Sequence, residues 1–148
     1  RLVVQRVDKA VVSVNGRVIS AIGAGLVVFL GIEKGDARED ADYLVEKLIN
    51  LRIFEDEEGK MNLSLRDTCG GLMIVSQFTL LGDCRKGRRP SFTAAEDPGQ
   101  ARAHYVYFLQ KAAERIDGVQ GGEFQAMMKV ELVNDGPVTL LLDSRKTF

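Results

Sequence analysis

Near the C-terminal end, two strand-like runs flank the segment Asn134-Asp135-Gly136-Pro137. Met128-Lys129-Val130-Glu131-Leu132 alternates apolar and polar, and Val138-Thr139-Leu140-Leu141-Leu142 is β-branched and apolar. Both therefore favour strand, so any fold must seat two strands on either side of this break. A Gly-Pro step joins a residue of wide φ freedom to one without an N–H. The carbonyls of Gly136 and Pro137 can thus be aimed away from a ladder. An X–Pro bond is also the only common place for a cis peptide. Read locally, an ordinary turn satisfies the same residues.

The chain has 148 residues, of which 45% are hydrophobic and 28% charged, with a net charge of −1. That is enough for one α/β domain, residues 1–148, with its own core. A general nucleic-acid coat would be strongly basic, so contact with nucleic acid must use a local patch. No apolar run is long enough for a transmembrane helix. Arg1-Leu2-Val3-Val4 reads as a strand and not as a signal peptide. Cys69 and Cys84 lack metal-ligand spacing. A reduced, cytoplasmic chain is the simplest account, although one disulfide stays open.

Val11 to Val14 and Arg17 to Ile19 flank Asn15-Gly16, a strong hairpin signal. Leu26 to Ile32 is a continuous apolar run, expected as a buried strand. Asp36 precedes Glu39 by three positions, which predicts a capping box with Asp36 in the cap. The helix after it gathers Ala41, Leu44, Val45, Leu48 and Leu51 on one face. The acidic run Glu55 to Glu58 reads as a solvated hairpin turn. Leu72 to Phe78 predicts another buried strand, and the aperiodic Gly82 to Asp97 a long loop. Asp97-Pro98 opens a second helix carrying Ala101, Tyr105, Phe108, Leu109 and Ala112 inward. The expected fold is a mixed, largely antiparallel sheet in barrel-like layers with two main helices.

The chain offers little acid–base chemistry. Its single histidine, His104, lies within the second predicted helix, where a structural role is the ordinary one. A metal site has no ligand pattern, the phosphate-binding lysine loop is missing, and Gly23-Ala24-Gly25 lacks the third glycine of a dinucleotide loop. Neither a metal nor a cofactor is expected. Two segments stand out. Ser76-Gln77-Phe78-Thr79 places hydroxyls and an amide at the end of an apolar strand, suited to a substrate pocket or to turn hydrogen bonds. If the strand continues, Ser76 and Phe78 face one way and Gln77 and Thr79 the other. Arg85, Lys86, Arg88 and Arg89 follow closely, suited to phosphates or to a solvated face, with Phe92 as a stacking surface.

Ser-Gln-Phe-Thr-Leu at 76–80 and Asn-Asp-Gly-Pro-Val-Thr at 134–139 resemble the two signature motifs of the D-aminoacyl-tRNA deacylases. Lys86 to Phe92, Gln5-Arg6-Val7, Leu51 to Phe54 and Gly59 to Leu63 are similar to the same family, in the same order along the chain. The resemblance implies a homodimer with a cross-subunit active site. It implies hydrolysis of the ester joining a D-amino acid to the terminal adenosine of tRNA, and of glycine mischarged on tRNA(Ala). It implies a cis Gly136–Pro137 bond whose carbonyls reach the partner's pocket and exclude L side chains. Arg6 and Asn134 would support that dipeptide, and Ser76, Gln77, Phe78 and Thr79 would form the pocket floor. Phe124 and Met128 would cradle the adenine.

Two mechanisms fit these residues. The Thr79 hydroxyl could attack directly, which needs a base that the sequence does not supply. Alternatively the tRNA 2′-hydroxyl helps to activate water while strand-end N–H groups, Gln77 and Phe78 among them, hold the oxyanion. The scarcity of acid–base residues favours the second. A non-catalytic RNA-binding module built on Arg85 to Arg89, and a small-ester hydrolase using Thr79 or Ser76, are the alternatives.

Overall fold

The computed structural model describes residues 1–148. Its organising element is β1 (Leu2–Val14), which is paired along both edges. On one edge β1 pairs antiparallel with β3 (Gly25–Leu30) through residues 2 to 7, then with β2 (Arg17–Ile22) through residues 10 to 14. On the other edge it pairs with β8 (Met128–Leu142) over almost its whole length. Beyond β3 lie β6 (Gly71–Ser76) and β7 (Val119–Gly121), each joined in parallel. The sheet order β2-β1-β3-β6-β7, with β8 on β1, curls into a nearly closed barrel. A small hairpin, β4 (Phe54–Glu55) with β5 (Met61–Leu63), stands apart and carries the acidic turn.

The strands separate two cores. Leu26, Val28, Leu30, Leu72 and Ile74 point one way, with Leu2 and Val4, toward the helices. Val27, Met73 and Val75 point the other way, with Val7, Ala10 and Val12. Helix α1 (Arg38–Ile49) buries Ala41, Leu44, Val45, Leu48 and Ile49, and helix α3 (Pro98–Ala113) buries Tyr105, Phe108 and Ala112. Phe108 is 1% exposed, and its complete burial contributes about 2–3 kcal/mol before packing terms. Asn15 and Gly16 both take positive φ, as their hairpin requires.

The structure corrects four expectations. A third, four-residue helix, α2 (Leu65–Thr68), follows Ser64, whose hydroxyl accepts from Asp67 N–H while the Asp67 carboxylate accepts from Ser64 N–H. Asp36 does not cap α1. Its carboxylate accepts from Glu33 N–H at 2.8 Å, and Asp40 reaches back to Ala37 N–H instead. The strand expected over Leu72–Phe78 ends at Ser76, and Phe78–Leu81 winds into a 3₁₀ turn, so Phe78 and Thr79 do not alternate. Finally, Asn134 to Pro137 is not a turn between two strands. It is a bulge within the single strand β8: between Gln5 and Lys9, three residues of β1 (6–8) face five of β8 (134–138). Bulges bend strands, and this one lies where the β1–β8 ribbon passes from the helix-side core to the second core.

Candidate active site

Arg6 lies on β1 opposite the bulge and is 5% exposed. Its Nη1 donates at 2.6 Å to the carbonyl of Ile53. Its Nε lies 2.7 Å from a carboxylate oxygen of Asp135, an ionic contact in which the N–H is not aimed at the oxygen. A guanidinium without a counter-charge would be costly in this position, and Asp135 supplies one. Asn134 closes the other flank. Its Nδ2 donates to the carbonyls of Arg6 (2.9 Å) and Val138 (3.1 Å), and its Oδ1 accepts from Gln5 Nε2 and Thr139 Oγ1, both at 3.3 Å. Gly136 and Pro137 are exposed at the crest, and the peptide between them is cis. Gly136 has φ +112°, and an added Cβ would lie 2.9 Å from a Val138 methyl and 3.0 Å from Arg6 Nη2, so only glycine fits.

The second signature segment sits at the end of β6. Gln77 N–H donates to Leu30 O at 2.8 Å, so this group, expected as an oxyanion donor, is already occupied. Phe78 and Thr79 open the 3₁₀ turn, and the first N–H groups of such a turn have no acceptor within it. The Thr79 hydroxyl accepts a hydrogen bond from the Gln77 side-chain amide. An amide donor cannot take a proton, so this contact orients Thr79 without activating it. Phe78 is exposed and meets Phe92 edge to face, with ring centroids 5.2 Å apart.

Phe92 belongs to the long loop, which is closed by paired Asp83–Ser91 backbone bonds of 2.7 and 3.0 Å. Within it Arg85 is gripped by Asp83 through two side-chain bonds of 2.8 and 2.7 Å, and hydrogen bonding to Arg85 holds the Asp83 carboxyl far below its usual range. Arg85 is therefore exposed but charge-paired within the loop, while Lys86, Arg88 and Arg89 are exposed and in no salt bridge.

Phe124 and Met128 lie on the third flank. Gly122 is packed between the Met128 sulfur and Val75, which places Met128 beside the end of β6. Phe124 packs on Tyr105, with ring centroids 5.8 Å apart. The two signature segments do not meet within one chain. Arg6 is level with Leu26 and Leu72, whereas Ser76 is level with Leu30 and Leu2. Along the sheet the bulge is therefore about 13 Å down the strands and about 14 Å across them from Ser76. His104 lies elsewhere, lining a small cavity of about 20 Å³ with Asp36, Asp40 and Ser144.

Residues 3–143 match the family model described as D-Tyr-tRNA(Tyr) deacylase. The D-aminoacyl-tRNA deacylase of Syntrophus aciditrophicus (strain SB) is 68% identical over 148 residues, covering 100% of this chain and 99% of the relative. That of Kosmotoga olearia is 59% identical over the same span. A solved structure described as c-Myc DNA Unwinding Element Binding Protein superposes with a TM-score of 0.90 at 42% identity, covering 94% of this chain and 95% of that one. A probable eukaryotic D-amino acid tRNA deacylase shares the fold, with a TM-score of 0.79 at 21% identity, covering 96% of this chain and 97% of that one. The chain belongs to the D-aminoacyl-tRNA deacylase family and is a carboxylic ester hydrolase of that class.

Proposed function

We propose that this enzyme proofreads chirality on charged tRNA in the cytoplasm, releasing D-amino acids, and glycine from tRNA(Ala), without a cofactor. It acts as a homodimer in which Gly136 and Pro137 of one subunit enter the pocket of the other. The carbonyls of that dipeptide stand where an L side chain would go. A D side chain points away from them, and glycine has none, so both are accepted. The exposure of the bulge crest and its separation from Ser76–Thr79 within one chain support a site completed by the partner.

Phe124 and Met128 hold the terminal adenine, and Lys86, Arg88 and Arg89 follow the phosphates of the acceptor end. Water, activated with the help of the tRNA 2′-hydroxyl, adds to the ester carbonyl carbon. The oxyanion is held by the N–H groups of Phe78 and Thr79, then collapses with cleavage of the bond to the ribose 3′-oxygen. That oxygen takes up the proton that the water loses, relayed through the neighbouring 2′-hydroxyl. One such donor is worth about 3 kcal/mol, and a reactive aminoacyl ester asks for little more than this with good orientation. The observation carrying this reading is the Thr79 hydroxyl itself, which is bound by an amide and by no base.

Deacylation of matched D- and L-aminoacyl-tRNA is the test. Fast release from the D-substrate and glycyl-tRNA, with the L-substrate intact, is expected. Equal cleavage of both hands removes the chiral role. The unpaired loop cations favour a second reading, a nucleic-acid-binding module, which predicts salt-sensitive RNA binding without turnover.

A further inference from the structure

Tyr105 is buried, 3% exposed, and carries a phenol that the hydrolytic scheme does not use. A buried tyrosine hydroxyl needs a partner. This one reaches two main-chain oxygens, Ile74 at 2.9 Å and Gly122 at 3.1 Å. Ile74 is in β6, two residues before Ser76. Gly122 opens the segment that leads to Phe124 and Met128. Ile74 O also accepts Gly122 N–H at 2.9 Å, so the two elements are joined twice at one point. Paired glycines permit this approach. A Cβ on Gly121 would come within 3.1 Å of the phenol oxygen, and one on Gly122 within 2.7 Å of the Met128 sulfur. The Tyr105 ring then supports Phe124 from beneath. Burial pushes the phenol up to about 12, so it stays a donor throughout the neutral range.

We infer that Tyr105 is a positioning residue: its hydroxyl fixes the Gly122–Met128 segment against the end of β6, setting the distance between the adenosine cradle and the hydrolytic residues. This rests on Phe124 and Met128 receiving the adenine. Tyr105 touches no reacting atom. Its effect is on where the acceptor end of the tRNA is held. Tyr105→Phe keeps the ring on Phe124 and removes only the hydroxyl, so the fold should survive.

The experiment is steady-state deacylation of D-aminoacyl-tRNA by Tyr105→Phe, Met128→Ala and Phe124→Leu, with melting curves for each. Tyr105→Phe should raise KM about fivefold to tenfold, the size expected for one buried hydrogen bond, with kcat within about twofold. A drop in kcat at constant KM, or a lower melting temperature with both constants unchanged, overturns the positioning role. If Met128→Ala and Phe124→Leu leave KM unchanged, the adenosine reading itself fails, and this inference with it. If those two raise KM and Tyr105→Phe does not, only the inference fails.

Discussion

The side-chain amide of Asn134 donates at 2.9 Å to the main-chain oxygen of Arg6, whose guanidinium holds the opposite flank of the bulge. The two residues thus grip the Gly136–Pro137 crest from both sides. Asn134→Ala removes the side-chain bonds to the carbonyls of Arg6 and Val138. It should cost about 1–3 kcal/mol of stability. It should also raise cleavage of L-aminoacyl-tRNA relative to the D-form. Thermal melting and paired D/L deacylation check this, and an unchanged melting point would contradict it.

Thr79→Ala should retain turnover within about tenfold of wild type, because the hydroxyl is oriented by Gln77 without being activated. A nucleophile deletion would cost about 10⁴-fold or more, and single-turnover rates separate the two outcomes. A substrate ending in 2′-deoxyadenosine should be cleaved poorly by both proteins.

The loop cations should divide into two classes. Alanine at Lys86, Arg88 or Arg89 should raise KM for tRNA and lower the salt slope of binding by about one each. Arg85→Ala should do much less, because Asp83 already satisfies Arg85. Binding titrated across salt concentrations gives the slopes, and equal slopes for all four would refute the division.

Acid should weaken the fold. A hydrogen bond from Ala37 N–H holds the Asp40 carboxyl below its usual range. Burial opposes ionisation of Asp143, but bonds from the Thr147 hydroxyl and Arg145 N–H outweigh it, and its pKa also falls. Both groups titrate lower folded than unfolded. Their stabilisation is complete above about pH 4 and is lost as pH falls through the folded values. Melting temperatures should therefore decline on the acid side, less steeply in Asp143→Asn. An identical acid limb in that variant would exclude Asp143.

Where chemistry is local, the sequence was readable. The Asn15-Gly16 turn follows from spacing alone, as do the inward Ala41, Leu44, Val45 and Leu48 of α1 and Tyr105, Phe108 and Ala112 of α3. Leu51, in contrast, falls beyond the end of α1, and Ala101 and Leu109 are only half-buried. The start of α1 was misplaced because three acids, Asp36, Glu39 and Asp40, compete for the cap and local spacing does not choose among them. α2 was missed because four residues are too few to show a period, although Ser64 and Asp67 carried its capping signal. The occupied N–H of Gln77 was hidden because its acceptor, Leu30, lies on another strand. Tyr105 was legible as an inward residue, but its two carbonyl partners belong to distant segments. The bulge looked like a turn because nothing local reveals that both flanks pair with the same strand.

The excess in that bulge is two residues, an even number. Side chains alternate with a period of two, so an even excess leaves the phase of the strand intact. Met128, Val130 and Leu132 before it pack with Ala10 and Val12 of β1 in the second core, and Val138, Leu140 and Leu142 after it with Leu2 and Val4 in the helix-side core. β8 thus stays in phase with β1 on both sides of the bulge. Losing one residue from 134–138 would put one of these triplets on the opposite face, whereas losing two would preserve both and erase the crest. The crest can thus be present or absent, but not shortened by half, without turning part of β8 inside out.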